Sequence, residues 1–166
     1  MSPILTLNNG VRMPALGLGV FLSPPAQTAA AVRTALETGY RLIDTAAAYM
    51  NERNVGEGLR ASGIAREDVF VTTKAWVSQY GYDGARRGFE ASMTRLGLDY
   101  LDLYLLHWPV PTDFENTIAA YKAAERLLAE GRVRAIGVSN FLPHHLDTLM
   151  AAADVAPAVN QVELNP

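Results

Sequence analysis

The chain has 166 residues, of which 49% are hydrophobic and 19% are charged, a balance typical of one folded domain rather than a disordered segment or a coiled coil. A formal net charge of −3 and the lack of a basic stripe argue against nucleic acid as a partner. The sequence contains no cysteine, which excludes a disulfide framework, a thiolate metal site and a cysteine nucleophile.

The first ten residues lack the basic and apolar regions of a signal peptide. No apolar stretch approaches the ~20 residues that span a bilayer. We therefore expect a cytoplasmic protein with no membrane partner.

The order of elements is a hairpin followed by alternating strands and helices. The turn sequence at 8–10, Asn-Asn-Gly, predicts a hairpin between strands at 4–7 and 11–13. Further strands are predicted at 16–21, 40–45, 69–74, 101–107, 134–139 and 159–163. Helical periodicity predicts helices at about 25–37, 52–61, 83–96, 114–130 and 144–153.

This alternation predicts an α/β fold with a parallel sheet. Two architectures compete, an open doubly wound sheet and a (β/α)8 TIM barrel. An open dinucleotide-binding sheet requires a G-x-G-x-x-G turn, and here Gly17 and Gly19 are followed by Leu22 where the third glycine belongs. Functional residues at several strand ends favour the barrel, present here as about six βα units.

Three ionisable residues end successive apolar strands: Asp44, Lys74 and His107. In α/β barrels the catalytic residues lie at this end of the strands. If Asp44 and Lys74 lie in contact, each supplies the opposite charge that a partly buried ionised group needs. Tyr49 follows the first of these strands, and an ammonium beside it is expected to lower the pKa of its phenol. Such a phenol is a suitable proton donor near neutral pH.

Each of these residues also has an ordinary structural interpretation, such as capping, packing or reaching solvent. Other chemistries fit less well. His144 and His145 are adjacent and cannot share a metal from one helix face, so no metal site is expected. Ser139 lacks the glycines of a nucleophile elbow. A carboxylate pair of Asp44 and Glu163 would leave the strand-end lysine unexplained.

Aromatic residues also gather near the strand ends, namely Phe21, Tyr49, Trp76 and Trp108. They are either core residues or the wall of a pocket for a small apolar carbonyl compound or a flat cofactor ring.

Five segments together resemble the aldo-keto reductase family, in particular its bacterial diketogluconate reductase-like branch. They lie at 42–52, 71–76, 104–109, 137–141 and 160–163, in order over nearly the whole chain. The resemblance implies a (β/α)8 barrel whose bottom is closed by the N-terminal hairpin. It also implies NADPH-dependent reduction of aldehydes and ketones, including keto sugars such as diketogluconate, to alcohols.

The resemblance assigns roles to the strand-end residues. Tyr49 would be the general acid, Lys74 paired with Asp44 would lower the pKa of its phenol, and His107 would orient the substrate carbonyl. The residues implied for the nicotinamide carboxamide are Ser139, Asn140 and Gln161. Those implied for the substrate pocket, besides His107, are Phe21, Trp76 and Trp108.

A complete barrel needs ~250 residues and eight strands, so 1–166 is predicted to be a single barrel domain that is incomplete at its C-terminus. The family resemblance implies that the missing part holds the phosphate-binding residues of the cofactor site and the specificity loops. The full-length protein is expected to be a monomer that takes a small carbonyl substrate. The truncated chain alone is expected to self-associate through open sheet edges and to bind NADPH poorly.

Three alternatives stay open. The chain is a non-catalytic cofactor-binding or regulatory protein of the same fold, an inactive truncated fragment, or a lyase that forms a Schiff base on Lys74. The lyase is disfavoured, because Asp44 is expected to keep the lysine protonated.

Overall fold

The computed structural model describes residues 2–164, which form a hairpin, a six-stranded sheet and five α-helices. The strands are β1 (Ile4–Thr6), β2 (Arg12–Pro14), β3 (Leu18–Gly19), β4 (Leu42–Asp44), β5 (Phe70–Ala75), β6 (Leu101–Leu106), β7 (Val133–Ser139) and β8 (Asn160–Gln161). The helices are α1 (Pro25–Glu37), α2 (Glu52–Ala61), α3 (Tyr82–Leu96), α4 (Phe114–Ala129) and α5 (Pro143–Ala152). Within residues 2–164, no helix combines the length and the apolar character that crossing a membrane requires.

The sheet settles the choice between the two predicted architectures. Its strands follow one another in chain order from β3 to β8, and every neighbouring pair is parallel. A doubly wound sheet reverses its strand order at a switch point, and this sheet does not. The six strands curl into a half-barrel with alternating helices, which is part of a (β/α)8 fold.

The sheet separates two apolar cores, because successive side chains of a strand point to opposite faces. On the inner face, Phe70 and Leu105 belong to a small cluster inside the curl. On the outer face, Val71 and Tyr104 pack in the larger cluster, which includes Phe89 of α3.

The N-terminal hairpin covers the amino-terminal ends of the strands, as the resemblance implied. Leu7 and Met13 pack against the inner cluster. The Asn9 side-chain amide donates a hydrogen bond to the backbone oxygen of Arg134, at 2.9 Å, next to the start of β7. The hairpin therefore shields the inner core at the end opposite to the predicted site.

The predicted order of elements is confirmed, and β4, predicted at 40–45, and the two edge strands are shorter than predicted. The strands expected at 16–21 and 159–163 form ladders only at Leu18–Gly19 and Asn160–Gln161. Each of these strands has a sheet neighbour on one side only within the described residues. An edge strand has fewer backbone hydrogen bonds to maintain regular pairing, so its ladder ends sooner.

Candidate active site

The inner face of the half-barrel changes from apolar to polar at the carboxyl ends of the strands. Lys74 lies four residues after Phe70 in β5, and His107 lies two residues after Leu105 in β6, so both continue inward-facing rows. Asp44 occupies the last position of β4, beside Thr72 of β5. The strand-end residues therefore share one end of one face.

Lys74 is buried, with 1% of its side chain exposed, and its ammonium donates hydrogen bonds to two oxygen atoms. Its Nζ donates to Asp44 Oδ2 at 2.7 Å and to the backbone oxygen of Thr45 at 2.9 Å. Burial lowers the pKa of Lys74, and the negative charge of Asp44 opposes this shift only in part. Asp44 acts in the expected direction, because it raises this pKa, but desolvation is the larger effect.

Tyr49 lies in the turn between β4 and α2, and the Lys74 Nζ is 5.2 Å from the centroid of its ring. Burial, reinforced by the negative charge of Asp44, raises the pKa of Tyr49 to about 12. The predicted lowering of this pKa is wrong. The ammonium is already paired with Asp44, so its charge is largely compensated, while burial disfavours the phenolate. The phenol consequently stays protonated at neutral pH.

His107 is buried between two aromatic rings. Its imidazole meets Tyr49 edge to face at 5.6 Å and Trp76 at 5.2 Å between ring centroids. Burial and then the positive charge of Lys74 lower the pKa of His107 to about 4, so the ring is neutral at physiological pH. Within residues 2–164 its Nδ1 has no hydrogen-bond partner. A neutral imidazole can donate one hydrogen bond to a substrate oxygen.

These residues border a cleft of about 1220 Å³. Eight of the predicted site residues line it, namely Phe21, Tyr49, Trp76, His107, Trp108, Ser139, Asn140 and Gln161. Asp44 and Lys74 are not among the lining residues and lie behind the surface of the cleft. The structure thus brings all the predicted site residues together, eight at the surface of the cleft and two, Asp44 and Lys74, behind it.

One wall of the cleft is aromatic. Phe21 is exposed and packs against Tyr49, with their ring centroids 5.1 Å apart. Trp108 is also partly exposed, and its backbone oxygen accepts a hydrogen bond of 2.7 Å from the Tyr80 hydroxyl. Tyr80, which the sequence did not single out, thereby holds the segment that carries Trp108.

The facing wall is polar. The Asn140 side-chain amide donates to the His107 backbone oxygen at 3.0 Å and to Ser139 Oγ at 3.1 Å. Ser139 Oγ donates to the Gln161 backbone oxygen at 2.8 Å, and Gln161 Nε2 donates to Asp44 Oδ1 at 3.3 Å. These hydrogen bonds hold the polar wall in place, and they do not involve all of its acceptor oxygens.

The donors and acceptors of this wall fit an amide-bearing ring. No hydrogen bond within the described residues reaches Asn140 Oδ1 or Gln161 Oε1, and both residues line the cleft. Such oxygens suit the N–H groups of a carboxamide. Among residues 2–164 no group of three or more histidine, aspartate or glutamate side chains could hold a metal ion.

Several residues at the cleft were missed by the sequence reasoning. Met50, Arg53 and Arg95 line it, and Asn51 is completely buried beside it. Asn51 directly follows the Tyr-Met pair of the first family-like segment, and an asparagine before a helix is usually a cap. Here its side chain makes no capping hydrogen bond to α2. Its partners lie elsewhere in the fold, where a local pattern does not reveal them.

Comparison with known proteins gives close relatives along nearly the whole chain. Morphine 6-dehydrogenase of Pseudomonas putida is 59% identical over 165 residues, covering 99% of this chain and 55% of the relative. The 9,11-endoperoxide prostaglandin H2 reductase of Trypanosoma cruzi is 56% identical over 163 residues, covering 98% of this chain and 56% of the relative. The chain thus spans little more than half the length of these relatives.

Solved structures agree with the fold. An aldo/keto reductase from Brucella melitensis superposes with a TM-score of 0.95 at 44% identity, over 99% of this chain and 64% of the other. A Bombyx mori aldo-keto reductase in complex with NADP gives a TM-score of 0.90 at 34% identity, over 98% of this chain and 58% of the other. The sequence model of the Aldo/keto reductase family matches residues 15–166. The chain therefore belongs to the aldo/keto reductase family.

Proposed function

We propose that the protein reduces aldehydes and ketones to alcohols with NADPH, using Tyr49 as the general acid. The observation that carries this proposal is the position of the Tyr49 ring at the cleft, 5.2 Å from the Lys74 ammonium and 5.6 Å from the His107 ring. An acid, a fixed positive charge and a neutral hydrogen-bond donor at one point suit the protonation of a carbonyl oxygen.

Tyr49 donates its proton as negative charge develops on the carbonyl oxygen. Its pKa of about 12 keeps the phenol protonated at neutral pH, so the acid is in the required state before reaction. His107, neutral because its pKa is about 4, donates a hydrogen bond that orients the same oxygen. A positioned acid of this kind contributes on the order of 10²–10⁴ in rate.

Lys74 supports the step after the proton has left. Transfer turns Tyr49 into a phenolate, and the nearby ammonium stabilises that charge without having to move. The hydrogen bonds from Nζ to Asp44 and to the Thr45 backbone oxygen hold the ammonium in place. Asp44 thus acts through Lys74 and does not reach the substrate.

The polar wall is the proposed place of the nicotinamide. Ser139, Asn140 and Gln161 would hold its carboxamide, and the cofactor when bound supplies the hydride. The Bombyx mori relative in complex with NADP supports a nicotinamide cofactor. Phe21, Trp76 and Trp108 would form the apolar side of the substrate pocket.

The decisive experiment follows NADPH oxidation with a generic aldehyde in the wild type and in Tyr49→Phe. The variant keeps the aromatic packing and loses only the hydroxyl, so we expect turnover to fall by at least 10²-fold with unchanged NADPH affinity. Tyr40→Phe is the matched control, because Tyr40 is exposed and lies outside the cleft. Full activity in Tyr49→Phe would refute Tyr49 as the acid.

NADPH binding and borohydride trapping, measured beside turnover, separate the alternatives. NADPH binding without turnover of any carbonyl would favour a non-catalytic, regulatory protein. A lyase would bring a carbonyl substrate to Lys74 Nζ, which is buried and bonded to Asp44 and Thr45. Borohydride trapping of a carbonyl compound on Lys74 would support the lyase instead.

A further inference from the structure

We propose that Asn51 is a positioning residue that clamps together the two turns carrying Tyr49 and Phe21. The proposal rests on the proposed function for its kinetic consequences, while its structural part stands on contacts alone. Asn51 has 0% of its surface exposed and lies outside the set of residues that line the cleft, and its side chain makes no capping hydrogen bond to α2.

The first contact fixes the turn after β4. The Thr45 hydroxyl donates to Asn51 Oδ1 at 2.9 Å, and both side chains are buried. Residues 45 and 51 are the two ends of the turn that contains Tyr49. This hydrogen bond therefore closes the turn across its base.

The second contact fixes the turn after β3. Asn51 Nδ2 donates to the backbone oxygen of Val20 at 2.9 Å and, more weakly, to that of Ser23 at 3.5 Å. These two oxygens bracket the segment that presents Phe21. One amide group thus uses its acceptor on one turn and its donor on the other.

Each of the two turns contains one residue in a strained backbone conformation. Leu22 and Met50 adopt left-handed conformations with φ of 58° and 59°, which non-glycine residues rarely adopt. Their side chains are 81% and 83% exposed, so burial of their own apolar groups does not hold them. Strain of this kind persists when the surroundings over-determine the conformation. Asn51 provides that restraint, since Met50 precedes it and Leu22 lies between its two acceptors.

The clamp is also connected to the proposed catalytic charge. Thr45 receives Lys74 Nζ on its backbone oxygen and offers its hydroxyl to Asn51. The rings of Tyr49 and Phe21 also pack together, with 5.1 Å between their centroids. This contact is a second link between the two turns. Loosening Asn51 should therefore move the phenol relative to Lys74 and expose it to water.

The test uses Thr45→Val as the mildest change, because it removes the hydroxyl donor and keeps the side-chain shape. Thr45→Ser keeps the hydroxyl and serves as the conservative rescue. Asn51→Ala removes the whole clamp. Thr117→Val is the matched control, since Thr117 is a buried threonine of α4 whose hydroxyl oxygen accepts a hydrogen bond from the Val110 N–H away from the clamp.

Two readouts are needed. The first is the split of kcat and KM for aldehyde reduction. We expect kcat to fall about tenfold in Thr45→Val and about 10²-fold in Asn51→Ala, with the KM for NADPH changed less than about twofold, because small misplacement of an acid lowers the rate more than binding. Thr45→Ser should recover most of the loss, and Thr117→Val should keep the wild-type kcat.

The second readout does not require activity. The pKa of Tyr49, followed by NMR of tyrosine labelled at Cζ and assigned with Tyr49→Phe, should fall from about 12 towards its ordinary value of 10 in Thr45→Val, because burial is the main cause of the raised value. A merely structural role of Asn51 would lower stability without moving this pKa.

The outcomes separate the two proposals. If the wild type reduces no carbonyl and the Tyr49 pKa still falls in Thr45→Val, the clamp is supported and the proposed function fails. If a wild type that reduces aldehydes keeps both its kcat and its Tyr49 pKa in Thr45→Val, the clamp is refuted. Thr45→Val decides the question even where Asn51→Ala does not fold.

Discussion

Lys74 Nζ lies 2.7 Å from Asp44 Oδ2, and the two residues come from neighbouring parallel strands of the half-barrel. The lysine side chain is 1% exposed and the aspartate side chain 14% exposed, so the ion pair is largely shielded from water. A shielded pair of this kind places a fixed positive charge beside Tyr49, and it also makes each partner costly to remove alone.

The first prediction concerns this pair. Lys74→Met leaves the Asp44 carboxylate with only the 3.3 Å hydrogen bond from Gln161 among its described partners, and we expect the free energy of unfolding to fall by about 3–5 kcal/mol. The double variant Asp44→Leu/Lys74→Met should be more stable than the single one, because no unpaired charge remains. Urea denaturation measures both. Lys122→Met, which removes a partly exposed cation of α4 from its ion pairs with Glu125 and Asp154, is the control. A double variant less stable than Lys74→Met would contradict the prediction.

The second prediction concerns the pH dependence of carbonyl reduction. The acid is active when protonated, and a Tyr49 pKa of about 12 means that kcat/KM should show no descending limb from this group between pH 7 and about 10. The pH profile of kcat/KM, with circular dichroism at each pH to monitor folding, tests this. A descending limb with an apparent pKa near 8 would show that the phenol is more acidic than its burial in this structure implies.

The third prediction concerns His107 and stability in acid. Its pKa is about 4 in the folded protein and 6.5 ordinarily, so between these values the unfolded chain binds more protons than the folded one. The contribution of His107 to stability is therefore complete above pH 6.5 and is lost as the pH falls towards 4. Urea midpoints of the wild type and of His107→Gln should converge over this range, and parallel curves would contradict the assignment.

The fourth prediction concerns the polar wall. Asn140 adopts a left-handed conformation with φ of 62°, which glycine tolerates and alanine does not. Asn140→Gly and Asn140→Ala should both weaken NADPH binding in a fluorescence titration, because both lose the side-chain amide. Asn140→Ala should be about 1 kcal/mol less stable than Asn140→Gly, because both lose the same side-chain hydrogen bonds and only alanine is strained at this φ. Wild-type NADPH affinity in Asn140→Gly would remove Asn140 from the proposed cofactor site.

Much of the architecture was accessible from local pattern. The alternation of apolar strands with helices, each about the length of a βα unit, predicted the parallel sheet and its order. The positions of Asp44, Lys74 and His107 at strand ends predicted that they would meet, because parallel strands bring their carboxyl ends to one edge. The lengths of the edge strands were overestimated, since pairing on one side is not visible in the sequence.

The charge states of the site were not accessible in this way. The predicted lowering of the Tyr49 pKa considered the neighbouring ammonium and omitted burial, which raises that pKa to about 12. Desolvation likewise outweighs Asp44 in its effect on the Lys74 pKa. The depth at which a side chain lies is a property of the assembled fold, so residue order does not reveal it.

Residue order sets which residues stand at the strand ends, since hydrophobic periodicity and strand polarity are local properties. How those residues are held depends on the assembled fold. Gln161 reaches Asp44 across 117 positions, and Asn51 binds a backbone oxygen 31 positions away. Such contacts and the burial that accompanies them exist only after the chain has folded, so they alone set the pKa directions and the clamp.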